Sequence, residues 1–378
     1  NYDGSAPSNT HYHSYRQQTL GASYAFALAD WQLKLSAQQG DTERDFNGSV
    51  FNAEVAQQAV TANRTDSLGA WTLGADTLKQ STTRMSNASI DKGNRQTGLF
   101  VARTQKFYLP NAEHPTIINA SVRNDDFSDY QSYIGKRLGL KQLLTKDAYF
   151  SINFADTRRM PNLFERFIQY DASFQAVARS NVGSLRPETV ESKEVSLGWK
   201  GYSVTRFEDK VTDLIDYDAA NRNYFNRAGN SQLNGWQWKA SDSLPSLASE
   251  ITLTYQVLDA KAQTGIPLAR RPESSASIDW TYLGLNKTVL AVQAQFVGDR
   301  IDSYNTTTGK AGPDTGNYWL WHANASYQWN QEVRVFVKGV NLTDERIAQA
   351  TNSFNASTPT TYYAYSPRTV LAGVEYKF

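Results

Sequence analysis

Apolar and polar residues alternate along most of this chain with a period of two. The clearest stretch runs from Thr315 to Trp329. One set of alternate positions reads Trp319, Trp321, Ala323, Ala325, Tyr327 and Trp329, and the other reads Leu320, His322, Asn324, Ser326 and Gln328. Successive side chains of a strand point to opposite faces, so the pattern predicts a strand with one apolar face and one mostly polar face. The apolar face carries aromatic rings at both ends and small residues between them. From Trp319 to Trp329 such a strand spans about 33 Å, or roughly 25 Å when tilted by about 40–45°. That is the height of the apolar band between the aromatic girdles of a membrane-spanning barrel. A strand of a soluble sandwich also alternates, but it rarely brackets its apolar face with indoles.

The same period recurs in about 17 segments. They lie near 11–27, 30–45, 54–67, 70–83, 94–108, 115–128, 130–140, 146–158, 188–200, 202–217, 222–242, 247–262, 270–284, 287–303, 315–329, 332–344 and 361–378. Phe150, Ile152 and Phe154 oppose Ser151 and Asn153, while Leu290, Val292, Ala294 and Phe296 oppose Gln293 and Gln295. Val333, Val335 and Val337 oppose Arg334 and Lys338, with Phe336 out of step on the polar side. Connections alternate between short ones, such as 28–30, 110–114 and 330–331, and long polar ones at 46–53, 84–93, 159–187, 262–269, 304–314 and 345–360. Up-and-down membrane barrels have this asymmetry, with tight periplasmic turns and long outer loops. The pattern predicts an all-β, antiparallel up-and-down transmembrane barrel occupying residues 1–378. Counting back from Phe378 on the short-turn side, the first strand descends from the long-loop side, which gives an odd number of strands. Bacterial barrels normally have an even number, so at least one upstream strand is expected outside this sequence.

Composition narrows the function. The 378 residues carry 38 basic and 37 acidic side chains, which gives no basic field for nucleic acid. There is no cysteine, hence no disulfide framework and no thiolate metal site. Tyr, Phe and Trp number 21, 17 and 9. No apolar run approaches the ~20 residues of a spanning helix, so a membrane reading requires a closed barrel. No G-x-S-x-G, H-E-x-x-H or glycine-rich phosphate loop is present, so no catalytic residues are assigned.

Several motifs carry a family resemblance. Lys338-Gly-Val-Asn-Leu-Thr-Asp-Glu345, followed by a long loop and a closing alternating strand ending in Phe378, is similar to the C-terminus of TonB-dependent outer-membrane receptors. Arg158-Arg-Met-Pro-Asn-Leu163, Asn181-Val-Gly-Ser-Leu-Arg-Pro-Glu188, Val211-Thr-Asp-Leu-Ile-Asp-Tyr217, Tyr224-Phe-Asn-Arg-Ala-Gly229, Ile266–Arg271 and Val297–Tyr304 resemble further segments of that family, in order. The chain looks nearest to the vitamin B12 (cobalamin) receptor type. Two departures are Gln237, where the family usually has Glu, and a hairpin missing between Phe46 and Ala53, where cobalamin receptors carry calcium-binding acidic loops. The resemblance implies a 22-stranded barrel, a separate N-terminal plug absent from this sequence, and coupling to TonB through that plug. It also implies outer-membrane lipid and lipopolysaccharide as surroundings, and active import of a scarce metal chelate of cobalamin or siderophore type. A passive porin-like channel and an outer-membrane enzyme are the alternatives.

Candidate chemistry concentrates in 159–187 and the strand end before it. Arg158, Arg159, Arg166 and Arg179 suit anionic groups, and Phe167, Tyr170 and Phe174 offer stacking area. An ordinary outer loop would read the same way. The loop lacks histidine, which argues against haem. Asp125, Asp126 and Asp129, and likewise Asp213, Asp216 and Asp218, form acidic clusters of the kind Ca²⁺ takes, although solvated loop charge or lipopolysaccharide bridging explains them equally. His11 and His13 share a strand face, but two histidines do not close a metal site. No resident metal or cofactor is assigned.

Overall fold

The computed structural model describes residues 13–46, 48–86, 88–110, 112–170, 176–178, 185–218, 222–302, 304–305, 310–311, 314–351, 362–364 and 367–377. Seventeen strands form one antiparallel sheet. By internal contacts the chain divides into two compact units, Asn1–Val195 with Asp209–Ser231, and Ser196–Glu208 with Gln232–Phe378. Among the described residues no helix is long and apolar enough to cross a membrane.

The first unit opens with eight strands, each antiparallel to the next: β1 (His13–Leu28), β2 (Trp31–Phe46), β3 (Ser49–Asp66), β4 (Gly69–Ser86), β5 (Ala88–Phe107), β6 (Thr116–Phe127), β7 (Tyr133–Leu143) and β8 (Ala148–Arg159). A one-turn helix, α1 (Leu163–Phe167), and a short hairpin, β9 (Ile168–Tyr170) with β10 (Ala176–Ala178), follow. Next come β11 (Glu188–Trp199) and β12 (Tyr202–Thr212), whose Ser196–Glu208 portion belongs to the second unit, and then a second short hairpin of the first unit, β13 (Ile215–Asp218) with β14 (Asn223–Asn226).

In the second unit β15 (Asn230–Leu244), β16 (Ser249–Lys261), β17 (Ser274–Leu285) and β18 (Thr288–Val297) pair in sequence. The small hairpin β19 (Tyr304–Asn305) with β20 (Lys310–Ala311) precedes β21 (Tyr318–Gln328) and β22 (Val333–Val340). A last small hairpin, β23 (Ala348–Thr351) with β24 (Tyr362–Ala364), precedes β25 (Thr369–Tyr376). The sheet here runs β18–β21–β22–β25.

Register turns the sequence alternation into two continuous faces. On one face of the first unit Tyr24, Leu35, Val60, Ala75 and Leu99 stand in one cross-strand row. On the other face Ala25, Lys34, Thr61, Gly74, Phe100 and Arg123 form the adjacent row. In the second unit Trp238, Tyr255, Ala276, Phe296 and Trp319 make an aromatic-rich row, and Lys239, Thr254, Ser277, Gln295 and Leu320 lie behind it. The apolar row is the solvent-exposed one: Leu20, Tyr24, Trp236, Trp238, Trp319, Trp321, Tyr327 and Trp329 are all exposed. Leu320, on the polar face, is buried. An inside-out arrangement of this kind fits a sheet whose apolar face meets something other than water.

Aromatic rings on the polar face are housed by glycine. The ring of Phe336 lies across Gly373 of β25, where an added Cβ would stand 2.5 Å from Phe336 Cζ. Phe207 covers Gly235 in the same way, at 2.5 Å. This explains the one residue out of step in β22, because glycine on the facing strand leaves room for the ring.

Short turns join the strands at one end, at 29–30, 67–68, 108–115, 144–147, 200–201, 245–248, 286–287 and 329–332. Ala29, Lys200 and Lys287 enter the left-handed region, with φ of 49°, 52° and 57°, as tight hairpin turns require. At the opposite end the connections 160–187, 213–229, 262–273, 298–317 and 341–368 are long.

Two expected loops at that end are absent. The described residues of 46–53 and 84–93 are strand apart from the turn residue Gly48, and Phe46 pairs with Ser49, and Met85 with Ala88. Gly48, at φ 85°, makes the first turn, and its N–H donates to Asp45 Oδ1 at 2.7 Å. Asn52 Oδ1 accepts from the N–H groups of Thr83 and Arg84, at 3.0 and 2.8 Å, where the β3–β4 register shifts. Their apolar residues, Val50, Phe51, Met85 and Ile90, do not alternate regularly with polar ones, so these ends mimic loop in the sequence. Another expected strand pair, 202–217 with 222–242, is broken into β12, the β13–β14 hairpin and β15, because Asp213 takes φ 57° and Gly229 φ 74°.

Candidate functional site

The long connection after β8 is folded, and the motif residues fold it. Asn162 caps α1: its side chain accepts from Glu165 N–H at 2.8 Å, and the Glu165 carboxylate accepts from Asn162 N–H at 2.9 Å, a reciprocal capping box. Arg159, the last residue of β8, donates through Nη1 to Glu165 at 3.0 Å and through Nε to Glu188 at 2.7 Å. Glu188 is 5% exposed, and its Oε1 also accepts from Ile215 N–H at 2.6 Å. Thus the Arg158–Leu163 motif, the Glu188 motif and the Val211–Tyr217 motif meet at one carboxylate, which a buried charge needs in order to be tolerated.

Beneath this network lies a small apolar core of Met85, Leu163, Phe167 and Ile168. Phe51, Ile90, Phe164 and Tyr224 pack against it. The aromatics form a ladder: Phe51 to Phe164 at 5.8 Å, Phe164 to Tyr224 at 6.2 Å, and Tyr224 to Tyr217 at 5.3 Å between ring centroids. All four rings are half-buried, so each keeps an open portion. Tyr130 donates to Leu185 carbonyl at 3.2 Å and ties down the chain before β11. Burial pushes the Tyr130 hydroxyl above the usual phenol range.

Ion pairs join the same segments of chain. Arg166, itself buried, donates to Asp129 at 2.7 Å. Arg186 grips Asp213 with two bonds of 2.6 and 3.0 Å. The Arg186 guanidinium holds the Asp213 carboxyl below its ordinary value. Arg227 donates to Asp216 at 2.6 Å. Arg158 donates to the Gln131 carbonyl at 3.3 Å and stacks on Tyr133, 4.3 Å from its ring centre. The Nε atoms of Arg158 and Arg166 are buried and have no protein acceptor.

The structure therefore brings Arg158, Arg159, Arg166 and Phe167 together, though as members of a packed, charge-paired scaffold. Tyr170 is placed in β9 by its backbone, and Phe174 and Arg179 lie outside the described residues. Glu188, Phe51, Phe164, Tyr217 and Tyr224 went unsingled in the sequence, although Glu188 and both tyrosines stand inside the family-like motifs. The acidic clusters disperse: Asp125 meets Arg123, Asp129 meets Arg166, Asp213 meets Arg186 and Asp216 meets Arg227. Among the described residues no three His, Cys, Asp or Glu side chains gather as a metal site. His13 accepts from Arg44 at 3.0 Å, and His11 lies outside the described residues.

A motif in the second unit is structural too. Asn341, fully buried at φ 50°, bonds both ways with the Glu345 backbone, at 2.9 and 3.0 Å, and Asp344 accepts from Arg368 N–H at 2.9 Å. Asn341 N–H donates to His322 Nδ1 at 3.3 Å. The Asn-Leu-x-Asp signature thus closes the end of β22.

Residues 1–342 match a family model described as TonB dependent receptor-like, beta-barrel. The vitamin B12 transporter BtuB of Vibrio cholerae serotype O1 is 25% identical over 240 residues, covering 62% of this chain and 37% of the transporter. The chain thus spans well under half of the curated relatives it matches. The ferric-catecholate import receptor Fiu of E. coli K12 superposes with a TM-score of 0.73 at 12% identity, over 98% of this chain and 65% of that one. The copper transporter OprC gives 0.72 at 14% identity, over 96% and 65%. These relatives are receptors and transporters, and the fold they share with this chain is an antiparallel up-and-down transmembrane β-barrel. The chain belongs to the TonB-dependent receptor β-barrel family.

Proposed function

We propose that this chain is the membrane-spanning barrel of an outer-membrane importer for a scarce metal chelate of cobalamin or siderophore type, bound at the long-connection end. Transport is active: energy arrives through TonB and a plug domain of the kind the family resemblance implies. The exposed aromatic and aliphatic face meets outer-membrane lipid and lipopolysaccharide. The observation that carries this reading is the two-faced sheet, apolar where exposed and polar behind, with a folded aromatic cluster among the long connections of the first unit. At the short-turn end Arg103 lies 4.9 Å over the Trp71 ring and pairs with Asp66 at 3.0 Å, an amphipathic arrangement suited to a membrane interface.

The test is uptake by cells carrying the full-length gene. Radiolabelled cobalamin and ferric siderophores are offered with and without TonB. Import that disappears without TonB, or with an uncoupler, is expected. TonB-independent passage of small solutes, with a large steady conductance in planar bilayers, would contradict the reading in favour of a porin.

A further inference from the structure

We infer that the ligand taken by this end of the first unit is a bulky chelate of low net charge with a broad apolar or aromatic face, rather than a polyanion. The inference rests on the importer reading above and names its substrate class.

Its basis is the way the arginines are spent. Arg159, Arg166, Arg186 and Arg227 each hold a carboxylate at 2.6–2.7 Å. Their partners are Glu188, Asp129, Asp213 and Asp216, and Glu165 is a further carboxylate on Arg159. Among the described residues these four guanidiniums face five carboxylates, so the paired network adds no net positive charge to steer a polyanion. Two further donors, Nε of Arg158 and of Arg166, are buried away from solvent. A polyanion would have to pull a guanidinium from a partner such as Glu188, which is 5% exposed, and leave that carboxylate desolvated and unpaired.

What the site does offer is ring surface. Phe51, Phe164, Tyr224 and Tyr217 run ring to ring, in tilted and T-shaped contacts, from the start of β3, across α1, to the β13–β14 hairpin. Aromatic groups supply large contact area on few rotatable bonds, which suits a rigid ligand with an apolar face. The ion pairs fix the elements that carry these rings, so the surface is preorganised.

The experiment titrates full-length protein in detergent with two low-charge chelates, cyanocobalamin and a neutral ferric trihydroxamate, and with a trianionic ferric tris-catecholate. The expected result is tighter binding of a low-charge chelate, with affinity changing less than about twofold between roughly 50 and 500 mM NaCl. Phe164→Ala and Tyr224→Ala should each weaken it about tenfold, while Phe164→Tyr retains it and all variants keep the wild-type melting profile. Tighter binding of the trianion, falling steeply with salt, would overturn the inference. So would ring removals without effect on the low-charge chelate. Failure of the importer reading shows separately, as absence of TonB-dependent uptake of all three.

Discussion

The Glu188 carboxylate joins three segments of chain, because one of its oxygens serves Arg159 and the other serves both Arg159 and the Ile215 amide. Removing it leaves a buried N–H without an acceptor. Glu188→Ala should lower the free energy of local opening at Ile215 by about 1–3 kcal/mol. Amide hydrogen exchange at Ile215 reads this directly, and exchange in the middle of β4 should stay unchanged. Asp213 adds a pH dependence of known sign. Its carboxyl is held below the ordinary value of 3.8 by Arg186. A depressed carboxylate pKa contributes stability above the unfolded value and loses it as pH falls through the folded one. Protease sensitivity of the 185–187 segment should therefore stay flat from neutral pH down to about 4 and rise only below it. Asp213→Asn should remove that acid response. Both surfaces are partly exposed, so the change is modest.

At the scale of elements, the rings and glycines of the polar face are complementary parts. Gly373→Val places a side chain where the Phe336 ring lies, so the ring must leave its seat on β25. The cost is that of overpacking, about 1–3 kcal/mol, and it should appear as a lower unfolding midpoint in detergent. Phe336→Ala in the same chain should recover part of it, since the clash is with that ring. The strands themselves were legible because alternation is a local property: Ile251, Leu253 and Tyr255 against Thr252 and Thr254 settle both the strand and its faces. The extended ends of β2 to β5 were not legible. There apolar residues no longer alternate, since Phe51, Met85 and Ile90 pack on the core under α1 instead of following a strand face, and Asp45, Asn52 and Arg84 look like loop although they close turns and bulges. The split between β12 and β13 was hidden for another reason: it depends on the left-handed turn at Asp213 and on Glu188, which lies far away in sequence.

For the molecule as a whole, what the chain presents outward decides its function. The sequence directs attention to 159–187 by its length and aromatic content, and the structure gathers Arg158, Arg159, Arg166 and Phe167 about that segment. The inner logic of the candidate site was not legible, since a count of arginines does not reveal that Arg159 and Arg166 already hold Glu188 and Asp129. Pairing is a three-dimensional fact, whereas alternation is a one-dimensional one. The central claim is that odd-numbered side chains from Trp319 to Trp329 face lipid and even-numbered ones from His322 to Gln328 face water. The chain has no cysteine, so single cysteines can be placed at each position without background. The deciding measurement is nitroxide accessibility along that strand in reconstituted bilayers, using oxygen as the lipid-soluble relaxer and a nickel chelate as the water-soluble one. The account predicts that the two accessibilities oscillate with a period of two and in opposite phase, with oxygen high at 321, 323 and 325 and nickel high at 322, 324 and 326. Uniform access to the nickel chelate, or the reverse phase, would contradict it.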